Sequence, residues 1–163
     1  MASRTIHEWL EAYGESHQNG TNKLIHWICV PGIFLTIAGL LWAIPTPDAF
    51  AQVPYLNWAT IVLVPILLFY MRLSVKVAVG MALFSLLCVA VVAWYAQSGP
   101  FGLVATSTFL FVAFWIMQFV GHKIEGKKPS FFEDLQFLLI GPAWVIGFTY
   151  RKLGIQYLSL IHI

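Results

Sequence analysis

With 163 residues, 60% of them hydrophobic and only 10% charged, and a mean hydropathy of +0.79, the chain is excluded from the water-soluble class, whose domains carry about 25% charged residues. Nine Lys and Arg against seven Asp and Glu leave a formal charge of +2, and the dispersed basic residues do not suggest nucleic-acid binding. Length fits one domain over residues 1–163, and composition makes it an integral membrane protein.

Residues 2–14 read as an amphipathic helix. Ile6, Trp9, Leu10 and Tyr13 recur at helical spacing, Glu8, Glu11 and Glu15 take other faces, and Ser3 is placed to cap it. Such a helix lies at a membrane surface or packs as a cap on a bundle. Gly14, Asn19, Gly20 and Asn22 then break it, and Thr21 or Asn22 is positioned to cap the next helix. Four apolar spans follow: 24–44, closed by Pro45 and Pro47; 55–71, short for a span and with a kink expected at Pro65; 75–96; and 101–120. Residues 131–150 carry Glu133 and Asp134 near their start and Gly141–Pro142 in the middle, which favours a re-entrant or in-plane hairpin over a fifth span. The expected fold is therefore all-α: a membrane-embedded bundle of about four transmembrane helices, with an N-terminal interfacial helix and a C-terminal re-entrant or in-plane segment.

Charge placement supports four spans. Arg4, Lys23, Arg72, Lys76, Lys123, Lys127, Lys128, Arg151 and Lys152 all fall on the side of the N-terminus, and Asp48 falls opposite. By the positive-inside rule both termini are cytoplasmic, whereas a fifth span would carry Arg151 and Lys152 across. No signal peptide is visible, because the first apolar run follows a polar stretch; this and the short chain favour a bacterial inner membrane over the endoplasmic reticulum. Cys29 and Cys88 lie within apolar runs and read as small hydrophobes, with no disulfide or thiolate framework. Oligomeric state is left open.

Of five histidines, His17, His26 and His122 fall at one membrane face, since an even number of crossings separates them. Nine residues on one continuous helix would set His17 and His26 on opposite sides, so they converge only through the break at 20–22. Gln118, His122 and Glu125 form a polar stripe on an otherwise apolar helix, costly to bury without partners. Imidazoles with a carboxylate suit iron, zinc or manganese; equally, such histidines could cap helix ends at the interface. His26 and His122 could also be paired axial ligands of a b-type haem. A non-enzymatic scaffold or a small transporter is a third class, although transport is disfavoured by spans that carry almost no ionisable groups away from their ends. His7, in the surface helix, and His162, at the C-terminus, are expected to be non-functional.

Two blocks carry a resemblance: Tyr13-x-x-x-His17 with Asn22-x-x-x-His26-Trp27-Ile28-x-Val30-Pro31, and Trp115-x-x-Gln118-Phe119-x-Gly121-His122 with Glu125-Gly126-Lys127-Lys128-Pro129. Together with Gly141–Pro142 they resemble the 2-hydroxy fatty acid (2-hydroxy-palmitic acid) dioxygenase family, which includes an endoplasmic-reticulum enzyme of phytosphingosine breakdown. The likeness runs from Arg4 to about Arg151; Cys29 and Ser130 depart from it with other small residues, and the spacing from His122 to Glu125 is shorter than in many members.

The resemblance implies an Fe(2+) enzyme that uses O2 to shorten 2-hydroxy fatty acids by one carbon, acting on its substrate in a lipid bilayer. It implies His17, His26 and His122 as metal ligands, with Glu125 either a fourth ligand or an acceptor that orients an imidazole. Asn22 and Gln118 would support the ligands from behind. Three imidazoles would leave room on the ion for the carboxylate and hydroxyl of the substrate and for O2. Lys123, Lys127 or Lys128 could attract the carboxylate, although the positive-inside rule places charge there in any membrane protein.

Overall fold

The computed structural model describes residues 4–129 and 136–155. Within them lie α1 (Ile6–Glu15), α2 (Gly20–Trp42), α3 (Trp58–Leu73), α4 (Val75–Ser98), α5 (Leu103–Glu125) and α6 (Phe137–Lys152), with a short 3-10 turn at Asp48–Gln52. Helices α2, α4 and α5 are long and apolar enough to cross a membrane; α3, with 16 residues, is a shorter apolar helix. Leu83, Leu86, Phe109 and Ile116 are among many large apolar side chains left exposed, the surface that lipid rather than water would solvate.

Local signals set the helix ends. Thr5 caps α1 in a reciprocal pair with Glu8, whose carboxylate accepts from the Thr5 backbone N–H at 2.6 Å; the Ser3 expected in this role lies outside the described residues. Asn19, and neither Thr21 nor Asn22, caps α2. Its Oδ1 accepts from the N–H groups of Thr21 and Asn22 at 2.9 and 3.3 Å, while the Asn22 amide is committed elsewhere. Ser74 closes α3 and opens α4. Helix α5 runs on past residue 120 to Glu125, where Gly126 takes the left-handed conformation (φ 74°) that an L side chain resists.

The axis of the bundle is the antiparallel pair of α2 and α5. A Cβ at Gly32 would collide with the Phe114 ring, one at Gly39 with Ser107, and one at Gly121 with Asn22. These pairings descend one helix as they climb the other, and each brings a backbone close to its neighbour. Close backbone approach is the chief source of helix association where lipid removes the hydrophobic drive. The antiparallel course places the start of α2, with His26, beside the end of α5, with His122.

Helix α6 corrects the hairpin expected at 131–150. Gly141 and Pro142 sit inside a continuous helix, and the turn read from that dipeptide is absent. Proline removes one backbone donor and normally breaks a helix interior; here Phe137, Ile140, Ala143 and Trp144 are buried around it and hold the helix. The neighbouring Leu139 carbonyl accepts from the Tyr70 hydroxyl at 2.7 Å. Gly141 serves close approach, since a Cβ there would stand 3.0 Å from the Tyr13 hydroxyl. Near its other end the Tyr150 hydroxyl donates to the Lys76 carbonyl at 2.9 Å, and Lys152 Nζ lies 5.1 Å from the Trp27 ring. Both ends of α6 thus meet the same end of the bundle, so α6 covers that end. Helix α1 packs on α6 through Trp9 against Phe137 (5.1 Å) and Tyr13 against Trp144 (5.6 Å), which makes its apolar face part of the core.

Gly39→Ala is expected to destabilise the protein by about 1–3 kcal/mol, the usual cost of overpacking, and much of that loss should vanish when Ser107→Ala removes the opposing oxygen. Thermal denaturation in detergent of the four members of this cycle measures the coupling; strictly additive losses would show that the two helices do not meet there.

Candidate metal centre

Three elements deliver one histidine each to the covered end. His17 follows α1, His26 lies in the second turn of α2, and His122 lies in the last turn of α5. All three are buried, at 1%, 1% and 5% exposure. Ring centroids are 4.3 Å apart for His17 and His26, 5.0 Å for His17 and His122, and 4.8 Å for His26 and His122. One ligand nitrogen from each lies within 4.8 Å of the others. Two nitrogens bound to one ion at about 2.0–2.1 Å stand at most about 4.2 Å apart, so small ring rotations close the set.

Hydrogen bonds fix the tautomers. His17 Nδ1 donates to the Tyr13 carbonyl at 2.6 Å, and His26 Nδ1 donates to the Asn22 carbonyl at 3.0 Å. A carbonyl can only accept, so in both neutral rings the proton sits on Nδ1 and Nε2 keeps its lone pair. The same i to i−4 device appears twice, and it is the arrangement that orients metal-ligating imidazoles. His17 Nε2 and His122 Nδ1 are buried with no hydrogen-bond partner, a costly state unless something else meets them. Burial, with His26 adding to it, pulls the pKa of His17 down to about 3, so this ring is a neutral ligand at physiological pH.

Glu125 does not join the cluster. Its Oε1 accepts from the Gln18 N–H at 2.7 Å, and its Oε2 accepts from the Asn19 N–H at 2.9 Å and from Asn22 Nδ2 at 3.0 Å. The carboxylate therefore sits on the amino end of α2, where free N–H groups and the helix dipole favour an anion. Asn22 Nδ2 also donates to the Ser16 carbonyl at 3.2 Å. Glu125 and Asn22 together pin the 16–19 turn to the end of α5, and this turn carries His17.

The triad closes one end of a cavity of about 370 Å³. Its wall runs along α2 from His26 through Val30, Phe34 and Ala38 to Leu41, a rise of about 22 Å at 1.5 Å per residue. Helices α3, α5 and α6 complete it, and its surface is overwhelmingly apolar. Gln118 lines it one turn from His122, as does Tyr13, whose ring stacks on His17 at 4.1 Å. Lys123, Lys127 and Lys128 do not line it; Lys127 Nζ donates to the Glu15 carbonyl at 2.9 Å. The expectation that these lysines meet a substrate carboxylate therefore finds no support in their placement. Tyr13 was absent from the expected site although it stood four residues before His17; only the stacking gives it a place. The packing also disfavours the haem alternative: His26 and His122 meet edge to face with His17 against both, a space for an ion and not for a macrocycle lying between two axial rings.

Residues 3–153 match the sequence pattern of a family described as 2-hydroxy-palmitic acid dioxygenase Mpo1-like. The chain belongs to the Mpo1-like family. No curated protein and no solved structure matches it significantly. The Mpo1-like description names a dioxygenase of a 2-hydroxy fatty acid, and three buried imidazoles capable of holding a metal stand at the head of a long apolar cavity in this member.

Glu125→Ala should weaken metal binding by about ten- to a hundredfold, as is usual when a group supporting the ligands is lost, and Glu125→Gln, which keeps an acceptor, should weaken it less; competition titration with a chromophoric chelator measures both. An unchanged affinity in Glu125→Ala would show that the turn holds without the clamp. The stability of the metal-free protein carries a second expectation. His17 stays neutral in the folded state down to about pH 3, whereas an unfolded His takes a proton below about pH 6.5. The unfolded state thus binds more protons in that window, and this contribution to stability falls as pH drops from about 6.5 towards 3. Denaturant titrations across this range should show a shallower decline in His17→Gln than in the parent chain.

Proposed function

We propose that this Mpo1-like protein is an Fe(II)-dependent dioxygenase that converts a 2-hydroxy fatty acid and O2 to the fatty acid one carbon shorter, CO2 and water. The observation that carries the reading is three buried imidazoles, two of them tautomer-fixed, at the head of an apolar cavity whose α2 wall runs about 22 Å by helix rise. His17 and His26 would hold the ion through Nε2, and His122 through a ring nitrogen. When bound, the iron would supply the redox chemistry that lets O2 react with an organic acid.

The protein's own residues do the rest. Tyr13 and Asn22 hold two imidazoles in register through their backbone carbonyls. Glu125 holds the turn that carries the first of them. Val30, Phe34, Ala38 and Leu41 offer an acyl tail a continuous apolar wall, so burial of the tail draws the head towards the triad. The covered end bears all the described Lys and Arg near the helix termini, and the positive-inside rule would turn it to the cytoplasm.

Elemental analysis of detergent-purified protein tests the metal. About one iron per chain is expected, lost in His17→Ala, His26→Ala and His122→Ala while the chains remain folded. Anaerobic loading with Fe(II), followed by 2-hydroxyhexadecanoate and O2, should then yield pentadecanoate only in the parent chain. Stoichiometric zinc without turnover would keep the ligand set, which suits zinc as well, and remove the oxidative chemistry. No metal under any loading would return the histidines to a structural role.

A further inference from the structure

The cavity that supports the proposed activity has a short polar inventory. Apart from the histidines and Trp115, its lining side chains are aliphatic, aromatic or proline except for Tyr13 and Gln118. Both are buried, at 6% and 8% exposure, and both line the cavity. Among the described residues neither the Tyr13 hydroxyl nor the Gln118 amide has a hydrogen-bond partner in the protein, although the Ser16 hydroxyl, Asn22 Nδ2 and the Glu125 carboxylate close by are all bonded. Unmatched polar side chains in an apolar wall are disfavoured unless something else fills the wall's needs.

Their placement is specific. Tyr13 stacks on His17 at 4.1 Å and 11° between ring planes, which fixes the direction of its hydroxyl. Gly141 leaves room for that hydroxyl, since a Cβ there would lie 3.0 Å away. Gln118 stands one helical turn before His122 on the same face of α5. No Lys or Arg lines the cavity. A carboxylate entering it would meet only neutral donors beside the triad, and an anion held in an apolar site requires such donors.

We propose that Tyr13 and Gln118 form a recognition pair for the head of the substrate: the phenol, protonated at neutral pH, donates to the carboxylate, and the amide donates to the same group while its oxygen is free to accept from the 2-hydroxyl. This inference rests on the proposed function and names residues that would touch the substrate. It excludes the exposed lysines from that task. It also predicts that an apolar molecule of the same length lacking the acid group enters the cavity without using either side chain.

The test is anaerobic binding, with O2 withheld so that nothing turns over, followed by tryptophan fluorescence in the full-length, iron-loaded chain. Probes are 2-hydroxyhexadecanoate and hexadecan-1-ol. Tyr13→Phe and Gln118→Leu should each weaken binding of the acid by about ten- to a hundredfold, the loss expected for a hydrogen bond to a charged group, with iron content and binding of the alcohol unchanged. Gln118→Glu keeps the shape and sets a carboxylate against a carboxylate, so it should weaken the acid as well and spare the alcohol. Equal acid binding in parent and variants would overturn this inference and leave the proposed function standing. Parallel loss of acid and alcohol would overturn it too, since it would mark a structural role. A parent chain that binds no 2-hydroxyhexadecanoate would instead remove the proposed function itself.

Discussion

The arrangement at the covered end depends on a break in the chain between His17 and His26. On an unbroken helix nine residues would point the two imidazoles apart, and no metal, substrate or partner ring could bridge them. The break has a cost, because it leaves the N–H groups of Gln18 and Asn19 without partners inside a helix. Glu125 meets that cost from another helix: one carboxylate accepts both N–H groups and the Asn22 amide as well. A charged acceptor at the amino end of α2 is favourable in its own right, so the groups that close the turn also tie α5 to it. The approach of α5 in turn requires Gly121, where any side chain would run into Asn22.

From that clamp the rest of the polar end follows. With the turn fixed, the Tyr13 and Asn22 carbonyls each take the Nδ1–H of a histidine four residues on, and both rings present Nε2 inward. The cation that a lone surface histidine would form is suppressed in His17 by burial, which leaves a lone pair where a proton would otherwise sit. Helix α6 then covers the end and buries its own aromatic residues against α1. The cavity is polar at one end and apolar along its length, a shape matched to an amphiphile entering head first.

Much of this was legible in the residues. Composition placed the chain in a bilayer, and the three long apolar helices and the shorter fourth stand close to where their runs predicted. His17, His26 and His122 were brought to one face by counting crossings, and the structure brings them together. Gln118, read on one stripe with His122, lines the cavity one turn from it. Gly141–Pro142 looked like a turn because those residues break isolated helices, yet packing against Tyr13 of α1 and Val30 of α2 and the Tyr70 hydrogen bond from α3 sustain the helix through them. Lys123, Lys127 and Lys128 share the end of the bundle with His122, but none lines the cavity, and Lys127 Nζ donates to the Glu15 carbonyl at the end of α1. Glu125 was read as a fourth ligand or as an acceptor orienting an imidazole; its carboxylate instead accepts from the Gln18 and Asn19 N–H groups and the Asn22 amide, more than a hundred residues away.

By itself, then, the sequence determined what is local and what is periodic: which stretches are apolar enough to span, where the helices break, and which end of the bundle each polar residue occupies. These follow from transfer free energies and backbone geometry that act within a few turns of helix. Only the tertiary structure decided which of several polar residues on one side meet one another. That choice rests on close backbone approach at Gly32, Gly39, Gly121 and Gly141 and on hydrogen bonds between segments distant in the chain. Neither leaves a periodic trace, because each depends on the absence of a side chain at one position and the presence of a donor at another.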